Sequence, residues 1–487
     1  MERIEKMKLK HFIAILLALL LSCSGLVACS KEVVEAPPAV LEPLQTLDQK
    51  KLTDYTADAE TVAYLSELRD SFSDMQESPE SLFEWETVYG GIRITKYLGS
   101  AASVRIPASI GAVAVTELAD GLFASAEKDS EGKPVKNATL KSLYIPDSVT
   151  VIGKGLLENC TALLALRTPL MSANKGSRQS LGYLFGLDMT KEEYYRDNPL
   201  SVPASLKYLE LGGEMTRIDR YALFECNDLE LVTLPESVTE LGKFSLYGCT
   251  RLIAINTEHL TEIGEHALAL CRGLTLLHFG EGLKEIGMGA LEGCDELRSL
   301  TLPFIGQKPL AEYAETEAQN NYLGYLFGAK VPDFSTGYYP TYLTRITLLS
   351  GCTELGNYAL YECDMLTELN LPDTLVRIGT RALSGCLYLS KINLPASLTE
   401  IGDNAFFGCR SITALDFSAT KLKTVGVSAF YYCDSLESVT LPATLTAIPN
   451  SCFAQCVKLE RINLEHVLTV GAQAFRGCPK INQTEKS

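Results

Sequence analysis

Apolar and polar positions recur along most of this chain in one fixed order. Leu229-Glu-Leu-Val-Thr-Leu-Pro-Glu-Ser-Val-Thr-Glu-Leu-Gly-Lys-Phe-Ser-Leu-Tyr-Gly-Cys249 and Leu389-Ser-Lys-Ile-Asn-Leu-Pro-Ala-Ser-Leu-Thr-Glu-Ile-Gly-Asp-Asn-Ala-Phe-Phe-Gly-Cys409 align position by position, and both read LxxIxLPxSLxxIGxxAFxGC. The alternation around Ile392 and Leu394 predicts a short strand with one buried face. Pro395 ends that strand, because it has no N–H to give a neighbouring ladder. Leu398 and Ile401 turn back into the core, Gly402 permits a tight bend, and Ala405-Phe406 is predicted to form one helical turn. Two other patterns stand outside the repeat. Phe12 to Leu21 is wholly apolar, and Val62, Leu65, Leu68 and Phe72 carry helical spacing within Leu52 to Phe83.

Eleven of the fifteen cysteines mark the beat. Cys226, Cys249, Cys271 and Cys294 are 23, 22 and 23 residues apart, and Cys363, Cys386, Cys409, Cys433, Cys456 and Cys478 follow at 23, 23, 24, 23 and 22. The intervals Cys160 to Cys226 and Cys294 to Cys363 are 66 and 69 residues, close to three beats each. A constant period of this length is the signature of a solenoid, in which each repeat packs only on its neighbours. Periodic cysteines in an exported chain suggest disulfides or a metal array. Against this, each occupies the same repeat position and is followed three residues on by an aliphatic side chain, as a buried thiol would be. No CxxC pair supports zinc. Cys352 and Cys452 lie off the ladder, and Cys452 is the place to check for a disulfide or reactive thiol.

The consensus resembles the Treponema-type, BspA-like class of leucine-rich repeat, over roughly residues 85 to 482. The resemblance implies an α/β repeat solenoid: a curved leucine-rich repeat with units of about 23 residues. Short parallel strands would form its concave face, with short helical turns or irregular segments opposite. It also implies a bacterial surface protein engaged in adhesion to proteins or cells, although a scaffold motif does not fix function.

The amino terminus reads as an export signal. Arg3, Lys6, Lys8 and Lys10 precede the apolar run, which is shorter than a membrane span of about 20 residues. Leu26-Val27-Ala28-Cys29 resembles a lipoprotein box, with Leu20-Leu21-Ser22-Cys23 a poorer competitor. Residues 1–28 are therefore predicted to be removed and Cys29 lipidated, with an ordinary secreted signal as the alternative. Residues 29–84, with Pro37-Pro38 and acidic residues, read as a tether containing one short cap helix. The solenoid follows over 85–487, interrupted near 168–200 and 303–342.

Charge narrows the partners. The chain has 43 basic and 60 acidic residues, and without residues 1–28 the balance is 39 to 58. Such a surface repels nucleic acid, which needs clustered Lys and Arg. There is no HExxH, GxSxG, GxxxxGK[ST] or GxGxxG after a strand. His259, His266, His278 and His466 share no metal-ligand spacing and read as surface or turn residues. No cofactor, metal or catalytic residue is predicted.

Binding residues are sought on the repetitive surface. The strand position between the two buried ones is Tyr144, Glu210, Thr233, Asn256, His278 and Thr301, then Thr347, Asn370, Asn393, Asp416, Thr440 and Asn463. At strand spacing this row spans about 50–60 Å. Either Thr and Asn simply suit an exposed sheet face, or the row is a shallow polar strip for a protein or glycan. Arg345, Glu368, Lys391 and Arg461 add charge two residues earlier. Leu181-Gly-Tyr-Leu-Phe-Gly186 recurs as Leu323-Gly-Tyr-Leu-Phe-Gly328, 142 residues later and once in each long Cys interval, which implies a duplicated module. Tyr183, Phe185, Tyr325 and Phe327 are expected to pack these interruptions onto the solenoid. Tyr194, Tyr195, Tyr338, Tyr339 and Tyr342 are the better contact candidates. Ala126 to Asn137, with Glu127, Lys128, Asp129, Glu131, Lys133 and Lys136, is a charged insertion that reads as a solvated loop.

These readings predict a monomeric, lipid-anchored surface protein that holds an extracellular protein or glycan. The candidate contacts are Tyr144, His278, Asn370, Asn393, Asp416 and Asn463 on the sheet and Tyr194, Tyr195, Tyr338 and Tyr339 in the interruptions. A glycan-handling enzyme with a cleft shaped by an interruption, and a purely structural envelope protein, are the alternatives.

Overall fold

The computed structural model describes residues 59–124, 130, 135–189, 201–313, 320–332, 335 and 337–481. The export signal, Cys29, the tether to about Lys50, Tyr194, Tyr195 and most of the charged insertion lie outside the described residues.

Each repeat is one coil of a parallel β-solenoid, and its backbone bonds to the next coil along three faces. The first face is the predicted strand. Tyr208–Leu211, Leu231–Thr233 and Ala254–Ile255 pair in parallel register, Leu209 facing Val232 and Val232 facing Ile255. Equivalent ladders run from Leu276–His278 to Lys391–Ile392 and from Ala414–Asp416 to Arg461–Ile462. The second face is a sheet of two-residue strands, such as Arg377–Ile378 and Glu400–Ile401, that no alternation in sequence reveals. The third face is a turn rather than the predicted helical turn. Asn404 and Gly408 both have positive φ, at 54° and 71°, which no α-helix accommodates. The N–H groups of Asn404, Phe406 and Gly408 donate to the carbonyls of Val427, Ala429 and Tyr431 at 3.0, 2.8 and 2.8 Å, so this face too is a ladder.

Gly402 is needed for a different reason from the bend. A Cβ there would stand 2.6 Å from the backbone nitrogen of Thr380 and 2.7 Å from the carbonyl carbon of Gly379. The backbone of one coil lies directly on the backbone of the last, and Gly242, Gly264, Gly287, Gly379 and Gly426 stand in the same contact.

The thiols lock the same interface. All thirteen cysteines among the described residues, Cys452 included, are free and buried. The Cys409 thiol donates to the carbonyl of Leu383 one coil back at 3.2 Å, and Cys433 does so to Phe406 at 3.3 Å. Cys249, Cys271, Cys294, Cys386, Cys456 and Cys478 repeat the contact.

The long Cys intervals hold two coils each, not three. Ala165–Thr168 pairs directly with Tyr208–Leu211, and Ser299–Leu302 with Arg345–Leu348, so a single enlarged coil accounts for the extra length. The repeated motif forms the third-face segment of that coil: the N–H of Leu157 donates to Leu184 and that of Leu291 to Leu326, both at 2.8 Å. Leu181, Leu184, Phe185, Leu323, Tyr325, Leu326 and Phe327 are buried, as their packing role requires. Leu187 and Ala329 stand after the motif's last glycine, where other coils carry Cys, so the enlarged coil leaves no mark on the cysteine ladder and its extra length mimics a third beat. Both enlarged coils are bridged by a carboxylate. Asp147 accepts the N–H of Gly213 at 2.7 Å, and Glu281 accepts those of Ser350 and Gly351 at 2.9 and 3.0 Å.

The first coil is closed by the antiparallel hairpin Phe83–Val88/Gly91–Tyr97, whose second strand starts the second sheet by pairing with Val113–Leu118. The predicted helix exists over Ala59–Arg69, continued by a 3-10 turn at Asp70–Phe72, but it does not cap the end. No helix among the described residues is long and apolar enough to cross a membrane.

Gly402→Ala is expected to lower stability by about 1–3 kcal/mol through overpacking. Gly408→Asn, at a left-handed position with nothing within 4 Å, should cost under about 1 kcal/mol. Urea unfolding midpoints test the order, and a larger loss at Gly408 would contradict it. Burial also pushes the thiols of Cys249, Cys294 and Cys363 from 9.0 up to about 12. The native state then keeps protons that the unfolded chain releases, so the thiol contribution is intact below pH 9 and lost as pH rises towards 12. Unfolding midpoints should fall across that window, and soluble thiol reagents at pH 8 should label only unfolded protein. Rapid labelling of the native protein would contradict the ladder.

Candidate functional site

The first sheet presents the predicted row of side chains, and the pairing fixes its order. Arg105, Tyr144, Arg167, Glu210 and Thr233 stand in register, as do His278, Thr301, Thr347 and Asn370, then Asp416 and Thr440. Arg105 and Arg167 were missed because their coils depart from the consensus. Arg167 is buried. Its Nη1 donates to Ile145 O at 2.7 Å, its Nη2 to both oxygens of Asp147 at 2.8 and 2.7 Å, and its Nε lies 3.3 Å from Glu210.

Two residues earlier on each strand runs a second outward row, and it divides the face. Ala165, Tyr208, Leu231 and Ala254 form an apolar strip that must be covered, and the N-terminal helix covers it. Leu65, Leu68 and Phe72 are buried against these four residues. The Phe72 ring lies 5.9 Å from Tyr144, edge-on, and 5.5 Å from Tyr208. The Tyr64 hydroxyl donates to Glu230 at 2.5 Å, and Arg105 donates to Met75 O at 3.2 Å. Tyr144 is accordingly not an open contact: its ring is held between the guanidinium groups of Arg105 and Arg167, at 4.1 and 4.5 Å.

Past Leu276 the same row becomes Ser299, Arg345, Glu368, Lys391, Ala414, Ser438 and Arg461. Arg345 lies 3.3 Å from Glu368, while Lys391 and Arg461 are exposed. His278 and Asn370 are half-buried in the neighbouring row, Thr301 is buried, and Asp416 is exposed. The Asn370 amide donates to Thr347 and Glu368 at 3.3 and 3.2 Å. Asp416 accepts the N–H of Ser418 at 2.9 Å, and the Ser418 hydroxyl first, then this N–H, holds its carboxyl below the usual range. Asn393 and Asn463 are turned onto the backbone. Each accepts the N–H of the leucine that precedes Pro372 or Pro442, at 2.6 Å, and donates back to that leucine's carbonyl at 2.7 and 3.0 Å. Asn256 clamps Leu234 in the same way. The amide ties off the strand where proline ends the ladder, so the asparagines are first of all structural.

At the boundary between covered and open halves lies a groove of about 820 Å³. Its walls include Arg69 at the helix end, Tyr208, Glu210, Thr233, Asn256, Glu258 and His259. The Tyr208 hydroxyl donates to Glu210 at 2.7 Å; burial first, then the Glu210 charge, raises its pKa well above the usual value. Burial lowers the pKa of His259, and its Nε2 is buried without a hydrogen-bond partner. This histidine reads from sequence as a turn residue, and nothing in its spacing places it beside a groove.

Among the tyrosines, Tyr338 and Tyr342 are exposed, Tyr342 with Arg298 over its ring at 5.4 Å. Tyr339 is not a contact residue: its hydroxyl donates to Tyr361 O at 2.9 Å, its ring meets Phe327 edge-on, and burial raises its pKa. Sequence reasoning also passed over stacked rings on the third face, Tyr221 on Phe244 on His266 at 5.3 and 5.0 Å. Their common offset from the second-strand leucine or isoleucine could have shown them. Among the described residues no group of three or more His, Cys, Asp or Glu is arranged to hold a metal.

The family described as "BspA type Leucine rich repeat region" matches residues 201–313 and 338–482. A leucine-rich repeat protein from Bacteroides ovatus is similar at 20% identity, covering 84% of this chain and 81% of its own, with a TM-score of 0.32. A leucine rich cell surface protein from Faecalibacterium prausnitzii matches at 24% identity over 80% of this chain and 95% of its own, TM-score 0.30. The leucine-rich repeat protein of T. pallidum matches at 16% over 84% and 92%, TM-score 0.23. Among curated proteins no match is found.

Docking of the helix rests on few side chains. Replacing Leu65 and Leu68 by Ala removes about 2–5 kcal/mol each where they are buried, and an isolated helix of this length is marginal in water. Hydrogen exchange is expected to show protection lost over residues 59–72 and retained through the coils. Loss of protection in the coils as well would contradict a separately docked helix.

Proposed function

The chain belongs to the BspA-type leucine-rich repeat family, and on that premise we propose that it is a non-catalytic binding protein of the bacterial cell surface. It is held there by a lipid on Cys29, and it takes an extracellular protein along the open half of its first sheet. The observation that carries this reading is the docked N-terminal helix: the face already holds one polypeptide segment, its own, over the apolar strip. The uncovered continuation is long and polar, and it carries both signs of charge in Arg345, Glu368, Lys391, Asp416 and Arg461. Such a surface lacks the buried aromatic anchors of tight interfaces, so specificity would come from charge complementarity and from the groove beside His259. Single-chain action suits the reading, since the face is continuous along one solenoid.

The Leu26-Val27-Ala28-Cys29 box supports the anchor, and the acidic stretch behind it supports a tether. Multiple acyl chains on one cysteine would hold the protein stably where one chain is marginal.

The test uses soluble protein starting at Ser30, screened against extracellular proteins and a glycan array, with affinities then measured by surface plasmon resonance. The double variant Lys391→Glu, Arg461→Glu is expected to weaken the hit by about tenfold or more, about 1.4 kcal/mol. Folded protein that binds nothing, or a hit untouched by sheet-face variants, would overturn the reading. A hit confined to glycans would replace the protein partner with a sugar on the same face.

A further inference from the structure

The two enlarged coils share a motif but differ beside the second sheet. In most coils the residue after the second-strand Ile or Leu is Gly, because the previous backbone leaves no room for a Cβ, with Pro449 after Ile448 an exception among the regular coils. After Leu355, in the coil that follows the second enlarged one, that residue is Gly356, and the buried side chain of Asn321 occupies the space where its Cβ would project. After Ile218, following the first enlarged coil, it is Asp219. There the loop Ser172–Gln179 takes the place of a regular second strand, and a cleft of about 600 Å³ lies between it and residues 214–220.

The loop is built rather than slack. Gln179 is buried, its Oε1 accepting from Met171 N at 2.8 Å and its Nε2 donating to Ser172 Oγ at 2.6 Å and Ser177 O at 3.0 Å. Asn174 Oδ1 accepts the N–H of Gly176 at 2.9 Å. Asp219 anchors the loop to the next coil by accepting the N–H of Gln179 at 2.9 Å, and its other oxygen accepts Arg217 Nε at 2.8 Å. The cleft is thus shaped before any ligand arrives.

Its charge is the opposite of the molecule's. Lys175, Arg178, Arg217 and Arg220 line it with Glu214 and Asp219, a local excess of two positive charges on a chain whose net charge is −17. Asp219 is spent on the loop and on Arg217, whose side chain is 60% exposed. Glu214 pairs with Lys175 but is 85% exposed, an ion pair that an incoming anion can replace at small cost. Ser177 and Thr216 bring hydroxyl groups to its wall, while Leu170 and Met215 lie buried beneath it.

We propose that this cleft, beside the second sheet rather than the first, is a second binding site for a short glycan ending in an acidic sugar. The cations meet the carboxylate or sulfate, and the Ser177 and Thr216 hydroxyls meet the sugar hydroxyls. The volume suits a ligand of two or three rings. The acidic remainder of the surface repels a long polyanion, so a single charged end is selected over a polysulfated chain.

The test is calorimetric titration of the soluble protein from Ser30 with three trisaccharides: one ending in glucuronate, one in a 6-sulfated sugar, and their neutral parent. At least one acidic probe is expected to bind, the neutral parent to bind about tenfold more weakly or worse, and affinity to fall between about 50 mM and about 0.5 M salt. Which acidic probe wins separates a carboxylate from a sulfate ligand. Arg217→Gln should lose about tenfold or more. Lys175→Gln, at an exposed position where folding is not at stake, should lose in the same direction, and Lys391→Glu on the sheet face should change nothing. Equal binding of the neutral parent, no binding of either acidic probe at low salt, or indifference to both Arg217→Gln and Lys175→Gln would overturn the proposal. None of these outcomes bears on the sheet-face partner, which the Lys391 and Arg461 variants test separately.

Discussion

Coil-on-coil contact of bare backbone governs this molecule. Strands stacked at about 4.8 Å leave no volume for a side chain between successive coils where they touch, so glycine is required after Ile378 and Ile401. The same proximity lets a cysteine thiol reach the carbonyl one coil back, and it lets all three faces close as hydrogen-bond ladders. No coil can satisfy its backbone or bury its leucines alone, and each is stable only between neighbours. Local chemistry is therefore repeated along the chain, and any departure from the repeat is a place where something else has been accommodated.

The departures are few and connected. An enlarged coil loses its cysteine, forces a carboxylate bridge between the coils on either side, and changes what the next coil can carry after its second strand. After the first enlarged coil that change opens a cleft with a cationic lining; after the second, Asn321 fills the space. The sheet face is divided by the same logic. Where its outward row is apolar the chain covers it with its own helix, and where the row turns polar the face stays open.

Much of this could be read from the residues. The period, the buried thiols, the strand rows and the packing role of Leu181 to Phe185 and Leu323 to Phe327 follow from spacing and apolar pattern, because those properties are local and repeated. The second sheet could not be read, since two residues such as Glu400-Ile401 carry no alternation. The reason for Gly402 was hidden because sequence does not distinguish a bend from a close approach. Asn393 and Asn463 look like surface asparagines until the strand before them is seen to end at a proline. The helix at Ala59–Arg69 was visible in its spacing, but its seat was not, because an apolar stripe says that it must be covered and not by what. The groove beside His259 and the cleft beside Asp219 arise only when distant coils are brought together.

The central claim is that this solenoid works through the open half of its first sheet. Site-specific photo-crosslinking tests it most directly, with a photoreactive side chain placed in turn at Asp416 on the open half, at Tyr144 under the helix, and at Tyr432 on the third face. The account predicts that a partner bound to the protein crosslinks from Asp416 and not from Tyr144 or Tyr432. Crosslinks from Tyr432 alone would place the working surface on the wrong side of the coil and contradict the account.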